Sequence, residues 1–283
     1  MLIKDLNRWK VKPKMWGPPS LVQQSVWDNC EKIYGIDSSE LFLAIPMWER
    51  SGNKIYDYSR NNNNGDITTA LWNTYGLRFN GSSDYIAVPD ADELTLINAF
   101  SIITTINRDD TSRGVIIDKG GSSGNREYRI EAFNSTQLYI LIGSNGGDWG
   151  FTWLANATVL PGNMTNICVT WDNSGSGPVL VYLDGNEENN DTYTGNTTNG
   201  IANLLIGANN NNLDNPENFF DGIINNIVIF KKAINAAQVS LFNDRPYGLF
   251  EQVKRPSYHF VKLPPGFPRI VQWYLEEEAR TWL

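Results

Sequence analysis

The chain runs to 283 residues yet holds only two cysteines, Cys30 and Cys168, and a single histidine, His259. Two cysteines are too few for the disulfide framework of a small secreted domain. Cys168, in Ile167-Cys168-Val169, reads as a buried and inert thiol. With its one His near the C-terminus, the middle of the chain cannot build a Ser-His-Asp or Cys-His site. One His and two distant Cys also exclude a zinc cluster. No run of about 20 apolar residues is present, so no helical membrane span is expected. The opening, Met1 to Asn7, lacks the apolar stretch of a secretory signal, and the expectation is a protein made without one. Gly120-Gly121-Ser122-Ser123-Gly124 is glycine-rich, but no Gly-Lys-Ser/Thr follows, so it reads as a hairpin loop and not a phosphate loop.

Charge is scarce as well. Only 19% of residues are charged, with 23 Lys+Arg against 31 Asp+Glu, while a 41% hydrophobic fraction is enough to fill a core. The negative excess sits in residues 46–245, which carry 12 basic and 22 acidic groups. An acidic body repels phosphate backbones, which argues against nucleic acid as a partner. The first sixteen residues run the other way, with Lys4, Arg8, Lys10, Lys12 and Lys14 against Asp5 alone, and read as a solvated basic arm.

What is abundant points to strands. Asp84–Pro89, Phe100–Arg108, Gly114–Lys119, Glu127–Phe133 and Gln137–Ile142 are short, rich in Ile, Val, Tyr, Phe and Thr, and bounded by turn residues. Gly150–Ala155, Thr165–Asp172, Val179–Leu183, Ala202–Gly207 and Ile223–Phe230 continue the pattern. Asn80-Gly81, Asn145-Gly146, Asp184-Gly185, Asn199-Gly200 and Asp221-Gly222 supply the positive φ of tight reversals. The fold class this implies is all-β, an antiparallel jelly-roll sandwich. One helix should follow the last strand, with Asn235 and Gln238 forming a capping box. Six N-x-Ser/Thr sequons (Asn80, Asn134, Asn156, Asn163, Asn190, Asn196) are read as accidents of composition in a chain with 34 asparagines.

The ends differ from the middle. Val22, Val26, Cys30 and Ile33 recur at helical spacing over Leu21–Tyr34, with Pro18-Pro19-Ser20 before and Gly35 after. Residues 246–283 open as a Pro-rich strap and close on a short helical pattern through Ile270, Trp273, Tyr274 and Leu275. The division expected is an arm over 1–41, a sandwich over 42–245 and a strap over 246–283. Each end either packs back on the sandwich or is held by neighbouring subunits, and the second is favoured because a Pro-rich strap resists compact folding.

Three blocks resemble the laminin-G-like, concanavalin A-like lectin/glucanase family. They are Pro46–Ser59 with the Asn run that follows, Phe79–Pro89, and Phe220–Phe230 ahead of a short helix. The resemblance covers residues 42–245 and implies a jelly roll of two curved sheets. Arg245-Pro246-Tyr247-Gly248-Leu249-Phe250-Glu251 is similar to the ends of laminin-G-like proteins encoded by tailed bacteriophages, which implies a virion protein.

The resemblance raises three chemistries. Glucanases of the fold use a Glu-x-Asp-x-Glu strand; none is present here, and Glu127-Tyr128-Arg129-Ile130-Glu131 reads as a solvated sheet face. Structural calcium is implied where the loop after Asp57 approaches the last strand, with Asp57, Asn62 and Asn225 as ligands; Asn225 stands where the family has Asp. Glycan binding needs an aromatic platform ringed by hydrogen-bonding groups, and Asn145, Asp148 and Trp149 offer it, with Tyr193 joining from a polar loop. Trp48, in an opening strand, Trp153 and Trp171 read as core.

The expectation is a non-enzymatic structural or accessory virion protein displaying a sandwich that contacts glycans. Its tails would dock other virion proteins or further copies of the chain through Trp9, Trp16, Phe267, Trp273, Tyr274 and Trp282. A free carbohydrate-binding module is the alternative, and a glycoside hydrolase of the same fold is third.

Overall fold

A computed structural model describes residues 19–121, 123–211 and 215–251. In chain order the strands begin with β1 (Leu41–Ile45), β2 (Lys54–Ile55), β3 (Gly65–Thr68), β4 (Leu71–Asn73), β5 (Gly76–Asn80) and β6 (Tyr85–Val88). Next come β7 (Ala99–Arg108), β8 (Gly114–Lys119), β9 (Tyr128–Ala132), β10 (Gln137–Gly143), β11 (Trp149–Asn156) and β12 (Thr165–Asp172). The last six are β13 (Pro178–Leu183), β14 (Asn186–Thr192), β15 (Leu204–Ile206), β16 (Asn209–Asn210), β17 (Pro216–Glu217) and β18 (Asp221–Phe230). Helix α1 (Pro19–Lys32) precedes them, and α2 (Ala236–Asp244) follows.

These strands form two antiparallel sheets, as an all-β sandwich requires. The first runs β14-β13-β12-β7-β18-β5-β4, with β1 also paired to β18, and the second runs β11-β10-β9-β8-β15-β6-β3-β2. Their facing sides share one core, where Ile102, Ile106, Val169, Trp171 and Ile227 of the first sheet meet Ile86, Ile117, Tyr128, Ile130 and Ile140 of the second.

The first sheet is buried on both faces, which is why β7, β12 and β18 read as nearly continuous apolar runs. Its far side carries Ile103, Cys168, Tyr182, Val228 and Phe230 into a second cluster. Both helices cover that cluster, α1 with Val26 and Cys30, and α2 with Val239 and Phe242. The capping box expected of α2 is formed: Asn235 Oδ1 accepts from Gln238 N and Gln238 Oε1 accepts from Asn235 N, both at 3.0 Å. Helix α1 stops as its sequence requires, with Gly35 at φ 62° and its N–H donated to the carbonyl of Glu31.

The described part of the tails lies on the sandwich. Asn29 Nδ2 donates to the carbonyls of Leu249 (3.2 Å) and Glu251 (2.7 Å), tying α1 to the 248–250 turn. Tyr247, Leu249 and Phe250 are buried in the cluster beneath α1. Residues 19–34 and 246–251 thus pack back on the body, the alternative to the favoured expectation that neighbouring subunits hold them. The reason is the apolar far face of the first sheet, which these segments and α2 cover together with Ile36, Trp48, Tyr58 and Ile234. Trp9, Trp16, His259, Phe267, Trp273, Tyr274 and Trp282 lie outside the described residues.

All ten expected strands are present, several shifted by a residue or two. Strand β14, Asn-Glu-Glu-Asn-Asn-Asp-Thr, was unexpected because it has no apolar alternation; it exists as an edge partner of β13 across the Asp184-Gly185 turn. Trp48 sits in no strand. It lies in the loop after β1, half-buried, edge-on to Tyr58 and Phe250 at centroid distances of 5.7 and 5.3 Å.

A candidate ligand-binding site around Trp149

Both described helices lie on the first sheet, so among the described residues no helix covers the outer face of the second. At one end of it the segments 123–127 and 144–148 are zipped together, Gly124 N and Arg126 N both donating to the carbonyl of Gly147 at 2.9 and 3.1 Å. Gly147, at φ 74°, permits that approach; a Cβ there would stand 2.4 Å from Gly124 Cα. Within the second loop Ser144 N donates to Asp148 O (2.7 Å) and Gly147 N to Ser144 O (2.9 Å), leaving Asn145 and Asp148 exposed.

A β-bulge then decides where Trp149 points. Ile142 pairs with Phe151, but Gly143 pairs with Trp149, so Gly150 is the extra residue. Such a bulge breaks the alternation of side chains. Phe151 and Trp153 pack against the inter-sheet core, and Trp149 is turned to the outer face. There its half-buried ring lies 5.1 Å from the Arg129 guanidinium and 5.7 Å from that of Arg126. Arg126 in turn faces Asp148 at 3.6 Å.

Beneath Trp149 the outer face is charged and buried. Arg129 Nε donates to Asp118 Oδ1 at 2.7 Å, from directly opposed positions of β9 and β8. Asp118 Oδ2 accepts from Asn210 N at 2.9 Å. Burial pushes the Asp118 carboxyl above its ordinary value, against the opposing pull of Arg129. Glu131 accepts from Arg113 Nε and Nη2 at 3.0 and 3.1 Å; at the end of the row Glu127 pairs at 2.9 Å with Lys119, whose register neighbours Leu204 and Tyr128 face the core. The segment Glu127–Glu131 is therefore not the solvated face its sequence suggested: Glu127, Arg129 and Glu131 are all buried. Asn210, on the β16–β17 hairpin, and the loop through Gly200, which donates to Glu127 Oε1, fold over the row.

Of the four expected ligand-binding residues, Asn145, Asp148 and Trp149 share one rim. Tyr193 touches the same loop from the other side. Its hydroxyl donates to Gly143 O (3.0 Å) and its ring packs on Phe151 and Trp171 at 5.4 and 5.7 Å, inside the sandwich edge. Arg126 and Arg129 were not expected at the site. They come from a neighbouring loop and strand, and nothing in residues 144–150 signals them.

The residues expected to hold calcium are engaged separately. Asp57 is buried, and its carboxylate accepts from Ala44 N (2.9 Å), Ser59 N (2.8 Å), Ser59 Oγ (2.6 Å) and Asn63 N (2.8 Å). Asn62 Oδ1 accepts from Gln23 Nε2, and Asn225 Oδ1 from Asn226 Nδ2. Asn225 Nδ2 donates to the Tyr75 carbonyl and to Tyr247 Oη. Every oxygen of the set faces a donor hydrogen, the opposite of what a cation needs, so these residues do not fit calcium. Among the described residues no cluster of three or more His, Cys, Asp or Glu is placed to hold a metal.

A family model described as the concanavalin A-like lectin/glucanases superfamily matches residues 80–240. A search of curated proteins found no match. Among solved structures, the binding domain of botulinum neurotoxin DC in complex with SialylT is 13% identical, with a TM-score of 0.56, covering 73% of this chain and 52% of that one. The binding domain of Paraclostridial mosquitocidal protein 1 is 14% identical, with a TM-score of 0.57 and coverages of 78% and 56%. Trypanosoma rangeli sialidase in complex with sialic acid is 15% identical, with a TM-score of 0.56, and this chain covers 38% of it. The chain thus spans about half the length of the two binding domains and less of the sialidase; at such identities the likeness is one of fold.

Proposed function

Because the chain belongs to the concanavalin A-like lectin/glucanases superfamily, we propose that it is a non-catalytic glycan-binding module whose ligand stacks on Trp149. The observation that carries this reading is the bulge at Gly150, which takes one indole out of the core pattern of β11 and leaves it half-exposed among polar groups. A pyranose offers an apolar C–H face to such a ring and hydroxyls to its surroundings. Asp148 accepts, Arg126 donates, and the Asn145 amide does either. The platform is held before ligand arrives, because Arg129 beneath it is paired with Asp118; a pre-set site loses less entropy on binding.

Burial supports the non-catalytic part. Glycoside hydrolysis needs two carboxyl groups flanking the scissile bond. Glu127, Glu131 and Asp118 are closed off from solvent, each held by a basic side chain: Lys119, Arg113 and Arg129. The test is a glycan array with wild type and Trp149→Ala, run beside glycosidase and sialidase assays. Binding in wild type, lost by tenfold or more (about 1.4 kcal/mol) in the variant at unchanged melting temperature, is expected. Binding indifferent to the variant, or turnover of a glycoside, overturns the reading.

A finer reading adds the particle. The likeness of Arg245–Glu251 to the ends of phage-encoded laminin-G-like proteins favours display of this module on a virion, with residues beyond 251 and before 19 as the attachment. Proteomics of purified particles tests it, and absence of the chain from them would sink it.

A further inference from the structure

Strands β6, β15 and β8 lie side by side, with Val88, Leu204 and Lys119 in one row. Two residues past Val88, Asp90 is held by its own N–H, donated to Asn203 Oδ1 at 3.1 Å. The Lys119 side chain is wholly buried and points its amine into this corner. Nζ stands 2.6 Å from Asp90 Oδ1, 2.9 Å from Glu127 Oε1 and 3.1 Å from the Ala202 carbonyl. Glu127 reaches it from the opposite side, its N–H donated to the Lys119 carbonyl at 2.9 Å. Glu127 is buried too, and among the described residues its Oε2 has no hydrogen-bond partner.

One amine therefore faces two carboxyl groups in a site closed to water on Glu127's side. Two carboxylates and one ammonium would bury a net negative charge, which is costly when an oxygen is left unpaired. Retaining one proton removes that cost, and burial pushes the Glu127 carboxyl upward accordingly. An amine, a carboxyl and a second carboxyl that burial biases toward its acid form, all in contact, are the components of amide formation.

From this geometry we propose that the Lys119 amine condenses with the Asp90 side-chain carboxyl, Glu127 relaying the proton, to form an intramolecular amide cross-link. The ammonium passes one proton to Asp90, giving a neutral amine and a carboxylic acid. With Nζ already at Oδ1, a small rotation of the carboxyl brings Cγ to the roughly 3–3.5 Å of a near-attack arrangement. The nitrogen lone pair forms the Nζ–Cγ bond. Glu127 takes a proton from that nitrogen and supplies one to the departing hydroxyl, which leaves as water. One C–N bond forms, one C–O bond breaks, and nothing is oxidised or reduced. The Asp90 side chain is 29% exposed, which opens a path for the water. The bond would staple the end of β6 to β8 in a chain whose two cysteines are both free and buried. It is independent of the glycan reading.

Intact mass under denaturing conditions tests it on the full chain after folding and storage at neutral pH. A mass about 18 Da (one water) below that of the sequence is expected, with a branched tryptic peptide joining the Asp90 and Lys119 segments. Asp90→Asn should lose about 17 Da instead, one ammonia in place of water. Asp90→Ala, Lys119→Met and Glu127→Gln should show the full mass of their sequences. Wild type at full mass after days, or a loss that persists in Asp90→Ala, overturns the proposal. Should a variant fail to fold, the wild-type mass and its peptide map alone decide.

Discussion

The ring of Trp149 lies 5.1 Å from the guanidinium of Arg129, whose Nε is committed to Asp118 at 2.7 Å. The exposed aromatic and the buried charge are thus one unit. Removing Asp118 leaves Arg129 charged, buried and without its carboxylate. Asp118→Ala is expected to cost about 3–5 kcal/mol, read from denaturant midpoints. Asp118→Ala with Arg129→Met should recover most of that loss, because no charge is then stranded. Equal losses in the single and double variants would show that the pair is not what seats Trp149.

Gly150 answers for the bulge. A Cβ there would stand 2.1 Å from the Tyr193 hydroxyl and 2.9 Å from Ser144 Cβ. Gly150→Ala should cost about 1–3 kcal/mol of strain and displace the Tyr193 to Gly143 hydrogen bond. In a Tyr193→Phe background the same substitution should cost less, since the nearest of the atoms it meets is gone while Ser144 Cβ remains. Thermal melts of the four proteins measure the coupling.

Stability should rise on mild acidification. Burial holds the Glu127 carboxyl above its ordinary 4.5, and Glu131 is moved the same way for the same reason. As pH falls, the native state takes these protons before the unfolded chain does, so it gains stability until the ordinary value is reached. The gain is full below 4.5 and is lost as pH rises through the raised native values. Urea midpoints measured from about pH 8 down to about pH 5 should climb, and Glu127→Gln should flatten the climb. A steady fall over that range would contradict the assignment.

Helix α1 belongs to the folded body. Deleting residues 1–34 removes Val26, Cys30 and Tyr34 from the cluster over the first sheet and uncovers Phe230, Phe242 and Phe250. Each buried apolar side chain is worth about 1.5–3 kcal/mol, so a loss of several kcal/mol is expected, read by calorimetry. A truncated chain that melts where the full chain does would show that α1 only rests on the surface.

Local signals were legible. The ten apolar strands, the reversals at Asn80-Gly81 and Asp184-Gly185, the stop of α1 at Gly35 and the Asn235–Gln238 cap all depend on neighbours within a few residues, and the sequence by itself determined them; of the other expected reversals, the positive φ falls on Gly147 and not Gly146, Gly200 has none, and Asp221-Gly222 opens β18. The tertiary structure decided the rest. Strand β14 is polar throughout and exists only because β13 lends it a ladder. Glu127–Glu131 is charged, yet buried, because segments around Gly200 and Asn210, some 70 to 80 residues away along the chain, close over it. Trp149 sits one residue from a regular register, and the bulge that turns it outward is a property of two paired strands. Periodicity records which residues prefer to be buried; which of them meet is set by packing between distant segments, and the charged corner at Lys119, Asp90 and Glu127 exists only there.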